Sequence, residues 1–221
     1  MQDGFQMLSP KVFMRLDGKI AQYLTLQKTQ YGGGDFSVDY FVFILIPPRE
    51  FVGSVLAGRF PQGKSQDGWW KSQSEESARA SMGEVCETFK TFGRSLLDST
   101  RSLSGYVSEL QRRGSDSGNA HFHADIGCAL LCEGRVVEAT TSLERAERQY
   151  MAFTVAGKPV EWSAKAAAKM RELLNAVHAG THGKLIDQWY SMSLVNLGID
   201  KKWKSPDPLL KAAARAGQRR R

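Results

Sequence analysis

Residues 16–46, LDGKIAQYLTLQKTQYGGGDFSVDYFVFILI, decide the fold of the first half of the chain. Asp17-Gly18 favours a two-residue hairpin turn, because a type I′ turn needs positive φ at both central positions. Residues 12–16 before this turn and 19–30 after it have the composition of strands. A third strand follows over residues 36–46. The stretch therefore predicts an antiparallel β-meander.

The third strand carries apolar side chains on both faces of its second half. Its even-numbered positions are apolar throughout, and Phe41, Phe43 and Leu45 extend this character to the other face. Two-sided burial is typical of a strand in the interior of a sheet. A single meander cannot bury its apolar face alone, so helices must cover it. The expected fold class is α+β, with an N-terminal antiparallel β-meander covered by helices and an all-helical C-terminal half.

The glycine run Gly32-Gly33-Gly34 raises the alternative of a phosphate-binding loop. Such a loop follows a strand and opens a helix, whose N-terminal amides hold the anion. Here the following residues, 36–46, have the pattern of another strand. The glycines are therefore interpreted as a hairpin connection.

Helical periodicity dominates the rest of the chain. Ser74-Glu75-Glu76 opens a predicted helix with acids in its first turn. Its apolar stripe contains Met82, Val85, Cys86, Phe89, Phe92, Leu96 and Leu97. Further helices are predicted over residues 99–113, 120–132, 136–150, 160–179 and 184–197. Because residues 114–119 are rich in Gly and Ser, the expected organisation is an α+β domain over 1–114, a helical domain or extension over 119–200 and a flexible basic tail over 201–221.

The charge of the chain is concentrated at its C-terminal end. The 221 residues include 30 Lys and Arg and 23 Asp and Glu, giving a formal net charge of +7. Residues 201–221 contain eight of these cations and one acid, Asp207, so the tail carries the whole excess. Such a tail favours salt-sensitive contact with polyanions. The candidate nucleic-acid-binding residues are Lys201, Lys202, Lys204, Lys211, Arg215, Arg219, Arg220 and Arg221.

Cysteine content and hydropathy indicate a cytoplasmic protein that does not contact a membrane. Three cysteines are an odd number at no disulfide-framework spacing. No stretch approaches the roughly 18 apolar residues that a membrane span needs. The start, Met1-Gln2-Asp3-Gly4, lacks the basic and apolar regions of a signal peptide. We expect no cofactor.

One cluster of potential metal ligands lies near the start of the helical half. Its members are His121, His123, Cys128 and Cys132. A zinc site needs four ligands that converge tetrahedrally, and two cysteines four residues apart share a helix face. Ala129, Leu130 and Leu131 between them favour a core helix in which a free cysteine acts as a small apolar residue. A zinc or hydrolytic enzyme therefore stays an alternative, and no catalytic residue is assigned.

Two adjacent tryptophans, Trp69 and Trp70, follow a glycine-rich segment. Aromatic side chains anchor protein interfaces and also stack on bases. With Tyr31 and Arg59 they form the candidate partner-binding set. The competing interpretation, which the sequence favours, is an aromatic cover over the sheet.

Several short motifs over residues 4–110 resemble a known bacterial family. They are Gly4-Phe5, Phe13-x-Arg15, Gln27-Lys28, Arg59-Phe60 and Trp69-Trp70, with the apolar strand and the closing helices between and after them. Together they resemble the family catalogued as domain of unknown function 4304. The resemblance implies an α+β fold and transfers no activity. In that family a helix usually precedes the Gly-Phe element, so one sheet face here is expected to be less covered, or the true start lies upstream.

A second resemblance covers residues 120–150. Gly127, Leu130, Gly134, Ala139, Leu143 and Ala146 have the spacing of one tetratricopeptide repeat. His123 replaces the early aromatic of that pattern, and Met151 stands in place of its terminal proline. A solenoid needs about three copies, so the prediction is one helical hairpin with close helix–helix packing.

These observations favour a non-catalytic bacterial protein that binds another protein. By analogy, small α+β proteins of this kind serve as toxin-neutralising immunity proteins or adaptors. A neutral body is less suited than an acidic one to neutralising a basic nuclease. The first alternative is association with nucleic acid through the basic tail, and the second is the zinc or hydrolytic enzyme.

Overall fold

The computed structural model describes residues 3–29, 34–52, 54–62, 68–114, 118–155 and 158–202. Over these residues the protein is α+β, with an N-terminal antiparallel sheet followed by helices. The chain forms two compact units. Unit 1 contains Met1–Phe43 and Leu56–Arg101, and unit 2 contains Ile44–Val55 and Ser102–Arg221.

The sheet confirms the predicted meander and the interior position of its long strand. Its strands are β1 (Gln6–Ser9), β2 (Val12–Asp17), β3 (Ile20–Lys28), β4 (Asp35–Ile44), β5 (Leu56–Arg59) and β6 (Trp70–Lys71). They are ordered β1-β2-β3-β4-β5, and β6 also pairs with β4. Apart from Asp35 and Phe41, every residue of β4 is buried. The sequence did not predict β1 or β6.

The first hairpin differs from the prediction by one residue. Asp17 pairs with Ile20, so the two-residue turn is Gly18-Lys19 and not Asp17-Gly18. Gly18 has φ +55, the left-handed conformation that such a turn requires. At the next connection Thr29 N donates to Asp35 O at 3.0 Å, and a strand follows. The loop prediction for Gly32-Gly33 falls outside the described residues.

The helical stripe predicted after Ser74 is interrupted by a π turn. Helix α1 (Glu75–Thr88) begins at a capping box between Ser74 and Ser77, the π turn spans Phe89–Gly93, and α2 (Arg94–Ser99) follows. A Cβ on Gly93 would lie 2.6 Å from Cζ of Phe60, so glycine permits this close approach of backbone and ring. The stripe is only partly in the core, because Met82 is 43% exposed.

A buried polar cluster attaches α2 to the sheet. Arg15 on β2 donates to Gln22 Oε1 at 2.7 Å, to Leu97 O at 2.7 Å and to Asp98 Oδ1 at 2.9 Å. Gln22 on β3 donates to Leu97 O and to Thr100 Oγ1. These bonds satisfy carbonyls at the end of α2 that lack helical partners. One end of this sheet face is therefore sealed by α2.

Over its described residues from Ser102 onward, unit 2 is helical apart from one short hairpin and the connections between helices. Its helices are α3 (Leu103–Gly114), α4 (Ala120–Cys132), α5 (Val136–Ala152), α6 (Glu161–His178), α7 (His182–Asn196) and α8 (Ile199–Lys202). The predicted helices from residue 120 onward are confirmed within a few residues. Strands β7 (Thr154–Val155) and β8 (Lys158–Pro159) pair as a short hairpin between α5 and α6, within the half that was predicted to be helical. None of the described helices combines the length and apolar character needed to cross a membrane.

The division into units differs from the predicted boundary at the 114–119 linker. Helix α3 groups with the helices of unit 2 rather than with the sheet. The segment Ile44–Val55 also belongs to unit 2, although it lies between β4 and β5 of unit 1. The helix predicted over 99–113 begins a few residues later than expected, because α2 continues to Ser99 and α3 begins at Leu103.

The hairpin of α4 and α5 shows the close packing that its small residues predict. A Cβ on Gly127 would lie 2.6 Å from Cγ of Leu143 and 3.2 Å from the carbonyl oxygen of Ala139. Ala139, Leu143 and Ala146 are fully buried. The helix backbones thus approach at Gly127 to a distance that no larger residue accommodates without a shift.

Gly127→Ala is expected to destabilise the protein by about 1–3 kcal/mol, the usual effect of overpacking. Helix propensity alone would favour alanine by about 1 kcal/mol. The sign of the change in the free energy of unfolding therefore tests the close contact between Gly127 and Leu143. Gly83→Ala is the matched control, because Gly83 lies exposed in α1 and a Cβ added there would meet no atom within 4 Å. That control should stabilise by about 0.5–1 kcal/mol. Urea unfolding measures the free energy of unfolding of both variants. A stabilisation by Gly127→Ala, as for Gly83→Ala, would contradict the close approach of α4 and α5 at Gly127.

Candidate functional site

The residues after β4 are attached to the helices of unit 2 by a buried ion pair. Arg49 donates through Nη2 to Asp125 Oδ1 on α4 at 2.5 Å and through Nε to Ile44 O at 3.1 Å. Tyr106 on α3 donates its hydroxyl to Asp125 Oδ2 at 2.7 Å. Burial, together with the Asp125 charge, raises the pKa of Tyr106 well above its usual value of 10.0, so this hydroxyl stays a neutral donor. Both carboxylate oxygens of Asp125 are therefore occupied.

Ser193 on α7 fixes the backbone of the same segment. Its hydroxyl donates to Leu45 O at 2.7 Å and accepts from Arg49 N at 2.9 Å. The serine is fully buried. The segment is thus held at two points, by its backbone and by the Arg49 side chain, and its next residues form one wall of a pocket.

This pocket, called here the aromatic pocket, has a volume of about 240 Å³ and lies within unit 2. It is lined by Pro47, Pro48, Arg49, Glu50 and Phe51, by His121, Ala124 and Asp125 of α4, by Tyr150 of α5, and by Trp162, Lys165, Ala166, Lys169 and Met170 of α6. It is therefore a concave site where aromatic and charged side chains of four segments meet.

The aromatic side chains of the pocket order one another. The Trp162 ring stacks on His121 with centroids 5.6 Å apart and an interplanar angle of 15°. Tyr150 shares a 2.7 Å hydrogen bond between its hydroxyl and His121 Nδ1. Phe153 lies 5.0 Å from Trp162 between ring centroids. These contacts fix the orientation of an indole that is still 46% exposed.

Burial lowers the pKa of His121 below its usual value of 6.5. Since the unfolded chain then binds a proton on this histidine more readily than the folded chain does, this histidine lowers the free energy of unfolding as the pH falls below about 6.5. The decrease continues until the pH reaches the lower folded pKa and then stops.

We expect His121→Phe, which keeps a ring against Trp162, to remove this part of the pH dependence. Urea unfolding from about pH 7.5 to about pH 5 should show a shallower loss of stability for the variant than for the wild type. His178→Phe is the control, since His178 lies at the end of α6 and does not line the pocket. An imidazole of His121 that titrates at or above 6.5 by NMR would contradict the expectation.

Two exposed phenylalanines, Phe51 and Phe153, adjoin the aromatic pocket. Phe51 is 75% exposed and lines it, and Phe153, which touches Trp162, is 44% exposed. Val155, in the strand that follows, is 60% exposed. Large exposed apolar side chains beside a concave site are a feature of interaction sites on soluble proteins.

The structure corrects the candidate set around Trp69 and Trp70. Trp70 is fully buried and stacks on Phe36 with centroids 6.0 Å apart, so it belongs to the core. Trp69 is half-buried beneath Arg59, whose guanidinium carbon lies 4.5 Å from the ring centroid. Arg59 also pairs with Asp39 at 2.9 Å. Tyr31 falls outside the described residues.

The structure does not bring His121, His123, Cys128 and Cys132 together as metal ligands. Within the described ranges, no group of three or more His, Cys, Asp or Glu side chains is placed to hold a metal ion. His121 Nδ1 instead lies in hydrogen-bond contact with Tyr150. Cys128 is fully buried, and burial raises its thiol pKa well above 9.0, as favoured for a core cysteine.

The basic tail is mostly beyond the part of the chain that the structure describes. Lys201 is exposed near the end of α8, and Lys202 ends that helix. Lys204, Lys211, Arg215, Arg219, Arg220 and Arg221 fall outside the described residues. Nucleic-acid binding through the tail stays a prediction from the sequence.

No family model, curated protein or solved structure matches the chain. The two resemblances noted in the sequence, to the family of unknown function and to one tetratricopeptide repeat, therefore stay predictions. The aromatic pocket is a candidate site because of the geometry described above, and no related protein supports the assignment. Sequence reasoning missed this pocket because its residues come from distant parts of the chain, among them Arg49, His121 and Trp162. The available signal was a tryptophan, Trp162, directly after the acidic residue Glu161 at the start of a helix, where side chains are usually polar and exposed.

Proposed function

We propose that this protein is non-catalytic and acts by binding another protein through the aromatic pocket and its exposed rim. The observation that carries the proposal is Trp162, a 46% exposed indole held in one orientation by His121 and Phe153. Tryptophan, tyrosine and arginine are the residues most enriched at energetically dominant interface positions. A pre-ordered indole also loses little conformational entropy on binding.

The charges around the pocket support a binding surface with a polar rim. Lys165, which lines the pocket, pairs with Glu161 at 2.7 Å on the exposed side of α6, and Glu50 and Lys169 also line the pocket. Such exposed pairs contribute little to stability and more to the orientation and rate of association. Asp125 is held by Arg49 and Tyr106, so its arrangement suits a structural anchor better than a general base. The partner proposed from the sequence is a bacterial protein, bound in the manner of an immunity protein or adaptor.

The test compares partner retention by tagged wild-type protein, Trp162→Ala and Trp69→Ala in the native host. A partner that binds at the pocket should be lost from Trp162→Ala with an affinity decrease of about thirtyfold, the effect of a 2 kcal/mol hot spot. Trp69→Ala, which removes a half-buried indole from unit 1, should retain it. Circular dichroism confirms folding of both variants. Retention of the same proteins at the same level by all three would overturn the proposal.

A further inference from the structure

A second concave site lies within unit 1, between the sheet and α1. This site, called here the apolar cleft, has a volume of about 370 Å³. Phe13, Leu24 and Val38 line it from the sheet, and Val85 and Phe89 line it from the helical side. Its size and lining fall within the range of small-molecule sites, about 300–1,000 Å³ and mainly apolar.

The cleft occupies the part of the sheet face that the helices leave open. At the other end of this face, Arg15 and Gln22 are sealed against α2 by hydrogen bonds to Leu97 O. Here Phe13 and Leu24 remain partly exposed on the sheet, and Met82 is 43% exposed on α1. Apolar side chains that line a concavity and still meet solvent gain free energy when an apolar ligand covers them.

The charged groups that line the cleft are two cations and one anion. Lys90 and Arg94 lie four residues apart, on the π turn and at the start of α2, and Asp3 lies beside Arg94. Arg94 pairs with Asp3 at 2.9 Å, and Lys90 pairs with Glu87 at 2.7 Å outside the lining. Both pairs are substantially exposed, so their net stability is small and a competing carboxylate can replace either acid. The two cations of the lining are therefore held only by exposed acids, at the edge of an apolar interior.

We propose that the apolar cleft binds a single-chain fatty acid. Its hydrocarbon chain lies between Leu24 and Val38 of the sheet and Val85 of α1, and its carboxylate accepts hydrogen bonds from Lys90 and Arg94. The π turn contributes by placing these two cations on the wall of the cleft, and π turns occur frequently at functional sites. This site is distinct from the aromatic pocket and does not depend on the proposed function of unit 2.

The test uses Cys86, which lines the cleft and is exposed, as a reporter. Full-length protein is alkylated with iodoacetamide, and the rate at Cys86 is followed by peptide mass mapping with dodecanoate, dodecanol or dodecyltrimethylammonium below micellar concentrations. Dodecanoate should slow the reaction at Cys86 at least roughly tenfold at saturation. Dodecanol should require about a tenfold higher concentration, since it lacks charge-assisted hydrogen bonds, and the cation should be weaker still. Buried Cys128 serves as the internal folding control.

Two variants separate binding in the cleft from adventitious binding elsewhere. Lys90→Gln/Arg94→Gln, at exposed positions, should bind dodecanoate and dodecanol equally. Met82→Glu places a charge at the mouth of the cleft and should weaken dodecanoate at least roughly tenfold, whereas Ala80→Glu on the same helix, outside the cleft lining, should not. The proposal is overturned if no amphiphile protects Cys86, if the alcohol binds as tightly as the acid in the wild type, or if Met82→Glu retains full affinity.

Discussion

Asp125→Ala should destabilise the protein by about 3–5 kcal/mol, the usual cost of leaving a buried charge without its partner. The Asp125 side chain is 3% exposed, and it accepts from both Arg49 and Tyr106. Its removal leaves the Arg49 guanidinium, 18% exposed, without its carboxylate, and it also removes the acceptor of the buried Tyr106 hydroxyl. Both losses act on the same contact between the segment after β4 and helices α3 and α4.

Chemical unfolding followed by tryptophan fluorescence measures this change. Glu144→Gln on the exposed face of α5 is the control and should stay within about 0.5 kcal/mol of the wild type. Asp125→Leu combined with Arg49→Met should recover most of the loss, because an apolar replacement of a buried ion pair is often neutral. A loss below about 1 kcal/mol for Asp125→Ala would show that the pair is not buried as described.

Trp70→Ala is expected to cost about 3–5 kcal/mol, whereas Trp69→Ala should cost less than about 1 kcal/mol. Trp70 is fully buried against Phe36, so truncation to alanine removes a large apolar area and leaves a cavity. Trp69 is half-buried, and its contact with Arg59 is of the cation–π type, worth about 0.5–1 kcal/mol at exposed sites. The two indoles are adjacent in sequence, which makes each the other's control.

The midpoint of urea unfolding for the two variants checks this expectation. Equal shifts would contradict the assignment of one indole to the core and the other to the surface. Trp70→Phe should restore about half or more of the loss seen with alanine, since it returns most of the apolar volume. A large loss for Trp70→Ala and a small loss for Trp69→Ala would also show that, of the two indoles, only Trp69 is accessible to a binding partner.

The elements of this fold follow from local patterns in the sequence. Helix α4 has the predicted bounds, Ala120–Cys132, because Asn119 caps it and Gly134 follows its end. The meander was predictable because period-two patterning and turn residues are both local signals. Even the error at the first hairpin is small, since a two-residue turn at Gly18-Lys19 uses the same glycine.

The functional sites could not be predicted, because their residues meet only in the folded chain. Arg49 and Asp125 are separated by 76 positions. The difference in burial between Trp69 and Trp70 was hidden for a different reason. Trp69 precedes β6, and a strand of two residues leaves no pattern to detect in the sequence. The π turn after α1 was also hidden, since its apolar residues fit an uninterrupted α-helix.

The grouping of Ile44–Val55 with unit 2 has a consequence for how the protein forms during synthesis. Arg49 leaves the ribosome well before the helix that holds Asp125, so its charge must stay hydrated until α4 has been made. Strand β5, which pairs with β4, is synthesised after Ile44–Val55 and before Asp125, the residue that accepts the hydrogen bond from Arg49. Neither unit is therefore a continuous stretch of chain, and an isolated fragment that begins at residue 102 would lack the cation that Asp125 requires. We therefore expect that neither unit folds correctly when it is expressed without the other, and that the two units occur together in one gene.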